Sequence, residues 1–568
     1  MTDAFPPFSA AARHAHRRAL AEGTWDLLVV GGGVTGAAAA RDAAGRGLRV
    51  ALVEAGDFAR GTSSRSSRLI HGGLRYLESF ELRLVFEASA ERRRLLELAP
   101  HLVHPLAFLF PVFRGGPTGL WKLQAGMWLY DALALFRNIS WHRMLGPEGV
   151  RREEPGLRAD GLLGAALYHD ASVDDARLTL ANARGAHEAG AAVVPHAEVV
   201  EFIKDGGVVR GARVRDRLDP AAEAFEVRAR VVMNATGPWS DALRRLADPA
   251  APARLRPTKG VHVMLRRERV GNRHAITFQS PRDGRVMFVL PWGGHTYVGT
   301  TDTDYAGSPA DVRAEPEDVR YLLDSANSIF PSARLTEADV VSTWAGIRPL
   351  LAPQRRASEG LSAGATSREH EIWWDKSGLL NIAGGKLTTY RVMAEQVVDR
   401  AARRLRERHG VESGVSPTAD LPLPGAPREP WDAFRARVAR EAAELGIGED
   451  VAARLARAYG EDADALLAAV RADRALGGRI VEGQPYVWAE VPHAVRAEMA
   501  LTLEDLLARR LHLFLEAPDG ALSAARAVAG RMAREEGIGW DAAEVERQVA
   551  AYRKAVEATR SFAPEPAP

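Results

Sequence analysis

Hydrophobic residues near the start of the chain follow the pattern of a strand, a glycine turn, a helix and a second strand. Residues Trp25–Val30 are mostly apolar and run into a turn rich in glycine. An alanine-rich helix is predicted over Ala37–Gly45, and a second apolar strand over Leu48–Val53. Two strands joined by a crossover helix form a βαβ unit. The pattern therefore predicts that an α/β domain begins here.

The glycine turn has the spacing of a dinucleotide-binding motif. Gly31 allows the tight turn, Gly33 lets the backbone approach a pyrophosphate, and Gly36 lets the helix pack closely on the sheet. The helix N-terminus adds N–H donors and a positive dipole end. Glu54, which ends the second strand, is an acid at the distance expected for binding ribose hydroxyls. We interpret the turn as a dinucleotide site rather than a purely structural turn.

A stretch dense in aromatic and aliphatic side chains comes after a predicted helix over Phe80–Ala99. It covers Leu106–Leu145 and includes Trp121, Trp128 and Trp141. One interpretation is a buried helical layer over the active site, and the other is a patch that faces lipid. The pattern alone does not separate the two. No apolar run approaches the roughly 18 residues that span a bilayer, so we expect any membrane contact to be peripheral.

Strand patterns return further along the chain in two groups. The first group, at Ala192–Val194, Val208–Val214 and Phe225–Val232, is predicted to rejoin the nucleotide-binding sheet, which the segment Leu379–Arg391 closes. The second group lies in residues 258–345, where alternation and turn residues predict an antiparallel sheet. Beyond a proline-rich stretch, alanine, arginine, glutamate and leucine at helical spacing predict a separate helical domain.

Composition narrows the classes of function. The 568 residues have room for two or three domains, and a net charge of +2 argues against a nucleic-acid binder. The chain has no cysteine, which excludes disulfides, thiolate metal sites, redox-active thiols and a cysteinyl link to a cofactor. The N-terminal residues lack an apolar core of signal-peptide length, so we expect a cytoplasmic protein.

The polar, glycine-rich segment Thr62–Tyr76 follows the second strand, and we expect it to contact a ligand. Here the sequence resembles the FAD-dependent glycerol-3-phosphate dehydrogenases, and the resemblance extends over nearly the whole chain. The C-terminal segment Glu498–Arg510 resembles the helical cap of that family. The nine motifs that carry the resemblance are Gly31–Gly36, Ser66–Tyr76, Val173–Arg177, Asn234–Trp239, Lys259–His262, Gly299–Asp302, Gly346–Pro349, Ser367–His370 and Gly384–Tyr390.

The resemblance implies an α/β fold with a discontinuous FAD-binding Rossmann-like domain, a β-rich substrate domain and a C-terminal α-helical cap domain. The expected segments are an N-terminal arm (1–24), the first part of the FAD-binding domain (25–105), a helical substrate-side insertion (106–170), the second part of the FAD-binding domain (171–257), the β-rich substrate domain (258–345), a substrate-site and closing FAD-binding segment (346–400), a linker (401–430) and the helical domain (431–568).

The resemblance also implies a reaction and its partners. We expect FAD to be held noncovalently and to accept a hydride at N5 from C2 of sn-glycerol 3-phosphate, which leaves dihydroxyacetone phosphate. Electrons would then pass to membrane quinone. The enzyme would therefore attach peripherally to an anionic membrane surface on the inner face of the cell membrane. A homodimer is compatible with the resemblance.

Four cations match the substrate-site positions of the family: Arg75, Arg348, Arg368 and Lys386. A phosphate-bearing polyol calls for several cations that converge on one anion, and arginine suits bidentate phosphate contact. Arg348 could instead form an ion pair at a domain interface, and Arg368 could simply pair with Glu369. Lys386 opens a helix, where a cation opposes the dipole, so stability alone does not explain its presence.

Removal of the hydroxyl proton requires a base, and His262 is the motif histidine on the β-rich side. We expect it to be the base. The alternatives are a histidine bonded within the sheet and assistance from Arg348. His71 is expected to orient the flavin loop. The expected cofactor-binding residues are Gly31, Gly33, Gly36, Glu54, Thr62, Ser63, Ser67, Arg68, His71, Gly73, Thr236, Gly237, Gly385, Lys386 and Thr388.

Three other functions remain open. Flavin amine and amino-acid oxidases also use a Gly-x-Arg-Pro arrangement, in which the arginine binds a substrate carboxylate. A glycerol-3-phosphate oxidase would share the site and pass electrons to oxygen, and a flavin-binding scaffold would not turn over. No metal site is predicted, because Asp302–Gly307 begins like a calcium loop but has Arg313 at its twelfth position instead of glutamate.

Overall fold

The strands of the protein form two sheets, which confirms the predicted α/β class. The computed structural model describes residues 5–74, 81–116, 118–135, 137–352 and 369–562. The strands are β1 (Thr24–Val30), β2 (Val50–Val53), β3 (Leu69–Ile70), β4 (Val103–Phe113), β5 (Arg143–Leu145), β6 (Leu162–Val173), β7 (Ala192–Val194), β8 (Ala197–Asp205), β9 (Val208–Asp216), β10 (Phe225–Asn234), β11 (Leu255–Arg266), β12 (Ala275–Gln279), β13 (Val286–Trp292), β14 (His295–Gly299), β15 (Thr303–Asp304), β16 (Val340–Leu351), β17 (His370–Trp374) and β18 (Leu380–Gly384).

Helices cover the sheets and form most of the C-terminal region. They are α1 (Ala12–Ala21), α2 (Val34–Gly45), α3 (Leu82–Leu98), α4 (Leu120–Leu133), α5 (Pro147–Glu153), α6 (Asp175–Glu188), α7 (Ser240–Ala247), α8 (Arg267–Val270), α9 (Pro316–Ile329), α10 (Tyr390–His409), α11 (Trp431–Glu444), α12 (Glu449–Tyr459), α13 (Ala463–Ala472), α14 (Glu490–Glu498), a π-helix (Asp505–Arg510), α15 (Leu513–Glu516), α16 (Leu522–Met532) and α17 (Ala542–Ala558). None of the described helices is long and apolar enough to cross a membrane.

The first sheet has a parallel centre with the strand order β7–β2–β1–β10–β18. Numbered along the chain, these five strands have the order 3-2-1-4-5 of a Rossmann-like domain. β1 lies in the middle, so Trp25–Val30 are buried as the apolar pattern predicts. Helix α2 packs against both α6 and α10 beside the sheet. The carboxyl ends of the parallel strands therefore meet at one edge, where the motif loops follow them.

The second sheet is antiparallel apart from the pairing of β12 with β4. It contains the strands predicted in 258–345, but it also contains β4 and β6 from the 106–170 insertion, which we expected to be helical. The expectation was wrong for β4 because its sequence is almost continuously apolar, and periodicity cannot distinguish such a run from a buried helix. Among the described residues of that insertion, the α-helices are α4 and the short α5.

The predicted linker over 401–430 begins too early. Helix α10 continues to His409 and ends at Gly410, which has a φ of 64°. A left-handed glycine immediately after the last turn is a common helix terminator because glycine pays no Cβ penalty there. The irregular connection to the C-terminal helical domain therefore begins after residue 410.

The N-terminal arm folds back onto the first sheet. Arg13 on α1 forms a buried ion pair with Asp216, at 2.8 Å. His16 on the same helix contacts His187 of α6, with 3.0 Å between Nε2 and Nδ1. Burial lowers the pKa of His16 to about 3 and that of His187 to about 4. The arm therefore joins the nucleotide domain through neutral imidazoles and through Asp216, which pairs with Arg13 and also with Arg17 at 3.4 Å.

The C-terminal domain is joined to the loop after β2 by buried charges. Asp57 accepts hydrogen bonds from Arg510 Nη2 at 2.9 Å and Nη1 at 2.6 Å, and from Arg509 Nε at 2.5 Å. Asp505 of the same π-helix contacts His196 at 2.9 Å. The C-terminal helices therefore hold the loop that follows Glu54.

Candidate functional site

The three motif glycines in the turn after β1 differ in the space that a Cβ atom would have. Gly31 has a φ of 112°, and a Cβ there would lie 2.6 Å from the carbonyl oxygen of Ala235. A Cβ on Gly36 would lie 1.9 Å from the carbonyl oxygen of Gly31, so α2 packs directly on the turn. A Cβ on Gly33 would meet only the hydroxyl of Ser63, at 3.2 Å. Gly36 therefore serves packing, while Gly33 leaves space at the N-terminus of α2.

Glu54 connects the glycine turn to the loop after β2. Its carboxylate accepts hydrogen bonds from the backbone N–H of Gly32 at 2.7 Å and of Gly56 at 2.8 Å. Burial raises the pKa of this carboxyl, which the two backbone donors partly offset. The acid lies beside the turn, as the motif predicts, and its contact with ribose hydroxyls stays a prediction.

The segment after Gly61 lies against the glycine turn on one side and against the closing segment on the other. Ser63 Oγ accepts a hydrogen bond from Val34 N at 3.0 Å, and Thr62 Oγ1 donates to Ile347 O at 2.6 Å. Thr388 Oγ1 accepts from His71 N at 3.1 Å and donates to His71 O at 3.2 Å. Three distant stretches of sequence are thereby brought together at the carboxyl edge of the first sheet.

Two further motif loops reach this edge. After β10, Thr236 bonds through its N–H and hydroxyl to Asn234, at 3.2 and 2.7 Å, and Gly237 has a φ of 54°. After β18, Gly385 has a φ of 84°, and Lys386 is the N-cap of a short 3₁₀ turn. These residues lie where the sequence predicts cofactor contacts. Their contacts with a cofactor stay predictions.

Arg68 does not reach this edge. Its side chain is 1% exposed, and its guanidinium carbon lies 4.3 Å from the ring centre of Trp292. Its Nε lies 3.7 Å from Asp175 Oδ1. The backbone φ of 51° turns this side chain inward, while the neighbouring Ser67 faces the cavity described next. The structure therefore gives Arg68 an interior position, in contrast to the cofactor contact that we expected.

A cavity of about 560 Å³ lies between the segment Ser67–Leu74, helix α4 and the second sheet. One part of its wall is polar and includes Arg348, Asp302 and Thr300. Another part is apolar and aromatic. The apolar wall consists of Leu69, Leu74, Phe108, Phe110, Leu123, Ala125, Gly126, Leu129, Tyr168, Val286 and Phe288.

Arg348 lies in the polar wall with its guanidinium held in a fixed orientation. Nη1 donates to Asp302 Oδ1 at 3.0 Å, and Nη2 donates to Thr300 Oγ1 at 2.9 Å and to Thr301 O at 3.0 Å. A Cβ on Gly260 would lie 2.4 Å from Nη2, which explains the glycine in the Lys-Gly-Val-His motif. Lys259 of that motif points elsewhere, because it pairs with Glu315 and Asp318. Among the described motif cations, Arg348 is therefore the one that lines the cavity.

The other predicted substrate cations are only partly located. Arg75 and Arg368 lie outside the described residues, and Lys386 lies at the carboxyl edge of the first sheet beside Gly385. Arg285 lines the cavity and was not predicted. Its Nη1 donates to the carbonyl oxygen of Asp302 at 3.0 Å. Asp302 is thus contacted by two arginines.

His262 lies behind Ser67 and does not line the cavity. Its Nε2 is 2.9 Å from Ser67 Oγ, and its ring stacks on Trp344 with centroids 4.8 Å apart. Burial and the charges of Arg348 and Arg68 hold its pKa well below the usual value. This arrangement agrees with the alternative of a histidine bonded within the sheet. Direct proton removal by His262 is not supported because Ser67 lies between it and the cavity.

A buried network that sequence reasoning missed fixes the Gly72–Gly73 turn. Asp170 Oδ1 accepts from Gly72 N at 3.1 Å, from Tyr130 OH at 2.8 Å and from Arg92 Nη1. Asp170 lines the cavity and interrupts the apolar strand β6, which is a local signal that could have marked it. Arg92 has no such signal, because α3 contains arginine and glutamate throughout.

Comparisons with known proteins identify the family of the chain. Residues 26–391 match the family model described as FAD dependent oxidoreductase, and residues 416–545 match the C-terminal domain of alpha-glycerophosphate oxidase. Glycerol-3-phosphate dehydrogenase 2 from Mycobacterium tuberculosis is 41% identical over 541 residues, which cover 94% of this chain and 88% of that protein. The aerobic glycerol-3-phosphate dehydrogenase of Staphylococcus haemolyticus is 38% identical over 492 residues, 86% of each chain.

A solved structure gives the same result. The glycerol-3-phosphate dehydrogenase from Bacillus halodurans, complexed with FAD, aligns with a TM-score of 0.80 at 33% identity and covers 99% of this chain and 100% of that one. The residues of this chain fit FAD, because the space above Gly33 at the start of α2 is one that a Cβ would fill. The chain therefore belongs to the FAD-dependent oxidoreductase family, within the group that contains the glycerol-3-phosphate dehydrogenases.

Proposed function

We propose that this protein oxidises sn-glycerol 3-phosphate to dihydroxyacetone phosphate and passes the electrons to membrane quinone. The observation that carries the proposal is the position of Arg348, an oriented cation in the wall of a cavity that the flavin-loop residues Ser67 and His71 also line. The names of the relatives support the same substrate. Bound FAD supplies the acceptor for the hydride that leaves C2 of the substrate.

The polar part of the cavity suits the phosphate group. Arg348 and Arg285 approach each other at Asp302, and Thr300 adds a hydroxyl to the same wall. Asp302 orients the Arg348 guanidinium, so the cation loses little rotamer freedom when it binds an anion. Arg75, Arg368 and Lys386 remain proposed partners of the same phosphate. The flavin amine and amino-acid oxidase alternative would need a carboxylate to take this position.

The proton of the substrate hydroxyl needs an acceptor that lines the cavity. His71 meets this condition, whereas His262 contacts the cavity only through the hydroxyl of Ser67. We infer that His71 accepts the proton and that His262, kept neutral by its low pKa, orients Ser67. His71→Asn should then remove the fall in rate at low pH, where a general base becomes protonated, while His262→Asn should change the rate without shifting the pH of that fall. The opposite result would restore His262 as the base.

The acceptor and the membrane are linked through an exposed aromatic surface. We define the α4 aromatic face as Trp121, Trp128, Leu129, Leu135 and Trp141, in which Trp121 is 78% exposed and Trp141 is 59% exposed. Trp128 and Trp141 contact each other edge to face, with centroids 6.1 Å apart. Tryptophan is enriched at membrane–water interfaces, and exposed apolar patches mark interaction sites. This apolar face supports peripheral attachment to a membrane surface.

One experiment tests the function. The purified protein is mixed anaerobically with sn-glycerol 3-phosphate or with glycerol, and bleaching of the flavin absorbance is followed. The reduced protein is then reoxidised in parallel with a quinone analogue and with oxygen. We expect bleaching by the phosphate alone and faster reoxidation by quinone. No bleaching would contradict the substrate, and equally fast reoxidation by oxygen would favour the oxidase alternative.

Membrane attachment is tested separately with anionic liposomes. The protein should co-sediment with them, and salt with mild detergent should release it more completely than salt alone. Replacement of Trp121, Trp128 and Trp141 by serine should abolish sedimentation. Unchanged sedimentation of that triple variant would show that a different surface makes the contact.

A further inference from the structure

Helix α4 presents three different stripes of side chains. Leu123, Met127 and Tyr130 are buried against the second sheet. Trp121 and Trp128 belong to the exposed α4 aromatic face. The third stripe, Lys122, Ala125, Gly126 and Leu129, lines the cavity, and its spacing of three and four residues puts these positions on one side of the helix. The same helix is therefore a wall of the cavity and the carrier of the proposed membrane contact.

The cavity is open along this third stripe. Leu129 lines it and is still 41% exposed, and Lys122 and Ala125 are exposed as well. We call the part of the cavity that these residues border the α4 limb. Leu129 belongs both to the limb and to the α4 aromatic face, so the opening of the limb is continuous with the surface that would contact lipid.

The far wall of the α4 limb is aromatic. Phe108 stacks on Tyr168 with centroids 5.3 Å apart and meets Phe288 edge to face at 6.3 Å. Phe110 and Leu74 complete this wall. Glycerol 3-phosphate carries an oxygen on every carbon, so it gains little from an aromatic wall and is already matched by the polar part at Arg348. The aromatic wall calls for a flat, apolar ligand.

We propose that the α4 limb admits the ring of a lipid-soluble quinone from the bilayer. The proposal rests on the proposed function and adds the route by which its acceptor arrives. Oxidation of the substrate alcohol to a ketone releases two electrons and two protons. The quinone takes up both pairs and leaves through the same limb as the hydroquinone. Substrate and acceptor then use different parts of one cavity, with the phosphate at Arg348 and the quinone beside Gly126.

Gly126 allows this route to be closed without disturbing the packing. A Cβ built on Gly126 meets no atom within 4 Å, so the first carbon of a larger side chain has open space at a position that lines the limb. Gly126→Leu is designed to fill the limb. Gly126→Ala is the matched control, because it also removes the extra backbone freedom of glycine but adds only one methyl group. Ala132→Leu adds the same leucine on an exposed position of α4 and controls for surface hydrophobicity.

The test compares the three variants with the parent in four measurements: FAD content, anaerobic bleaching by sn-glycerol 3-phosphate, co-sedimentation with anionic liposomes, and turnover with two acceptors. The acceptors are a decyl-chain quinone in vesicles of anionic lipid and ferricyanide, a small hydrophilic oxidant. For Gly126→Leu we expect the first three measurements and ferricyanide turnover to stay within about twofold, while quinone turnover falls about tenfold or more. The two control variants should resemble the parent in every measurement.

The outcomes separate the route from the function. If the parent reduces the quinone and Gly126→Leu reduces it equally well, the α4 limb is not the route. If Gly126→Leu loses FAD or slows bleaching as much as quinone turnover, the limb belongs to the cofactor or the substrate, and the proposal is also overturned. If the parent itself fails to bleach, or transfers electrons to oxygen as fast as to quinone, the proposed function fails instead.

Discussion

Gly33 and Gly36 belong to one motif, yet the structure predicts opposite consequences for their replacement by alanine. A methyl group on Gly36 would lie 1.9 Å from the carbonyl oxygen of Gly31, which is backbone and cannot turn aside. A methyl group on Gly33 would lie 3.2 Å from the hydroxyl of Ser63, which is a side chain. Gly36→Ala should therefore damage the fold, and Gly33→Ala should damage only the binding of FAD.

The magnitudes follow from these contacts. To relieve the clash at Gly36, α2 would have to move away from the turn after β1 by roughly 1 Å or more. Overpacking of this kind lowers the free energy of unfolding by about 1–3 kcal/mol or more. Gly33 has a φ of −72° and a ψ of 175°, which alanine adopts without strain, so the free energy of unfolding of the FAD-free protein should change by less than about 1 kcal/mol. Loss of one charge-assisted contact to the pyrophosphate costs about 1.5–3 kcal/mol, or about tenfold to a hundredfold in FAD affinity.

The assay is thermal unfolding of both variants and the parent, with and without a saturating excess of FAD, together with FAD titration by flavin fluorescence. A ligand that binds only the folded state stabilises it by RT ln(1 + [L]/Kd), so the melting temperature rises with the logarithm of the affinity. Gly33→Ala should match the parent without FAD and respond less to added FAD. Gly36→Ala should melt at a lower temperature in both conditions, by roughly 1 °C for each kcal/mol lost if all 568 residues unfold together.

Two results would refute this reasoning. If Gly33→Ala binds FAD as tightly as the parent, the space above Gly33 does not face the pyrophosphate. If Gly36→Ala melts at the parent temperature without FAD, the close packing of α2 on the turn is not required for the fold.

Three further predictions concern the substrate, the domain contact and pH. Arg348→Gln should raise KM for sn-glycerol 3-phosphate about tenfold to a hundredfold with normal FAD content. The matched change Arg256→Gln, at a neighbouring half-buried arginine that pairs with Asp304, should leave KM unchanged, and equal effects would contradict the phosphate contact. Asp57→Asn should cost about 3–5 kcal/mol in urea unfolding because two guanidinium groups of the π-helix lose their buried partner, and an unchanged midpoint would show that the contact is not needed. The pKa values of His16 and His187 are lowered to about 3 and about 4, below the unfolded value near 6.5, so the unfolded chain binds more protons at acid pH. The free energy of unfolding should be full above about pH 6.5 and should fall by up to about 1.4 kcal/mol per pH unit per histidine as the pH drops toward 4. A free energy of unfolding that stays constant between pH 7 and 5 would exclude this.

The sequence by itself determined the parts of the protein that depend on local geometry. The buried strand β1, the glycine turn at Gly31 and the following helix are encoded by side-chain periodicity and by backbone angles that only glycine adopts easily. The strand at Ala192–Val194 lies where its apolar pattern predicts it. The Gly-Ile-Arg-Pro motif predicted a substrate cation at Arg348, which the structure places in the cavity wall, and its contact with substrate stays a prediction.

Tertiary structure alone decided which side chains meet. β4 became a strand because β6 and β12 supply hydrogen-bond partners, which an apolar run cannot specify by itself. Ser67 separates His262 from the cavity, although these two residues lie 195 positions apart in the chain. The Gly72 turn was fixed by Asp170, 98 positions away. These contacts depend on the direction of each side chain after two sheets have packed together, and no short-range pattern carries that direction.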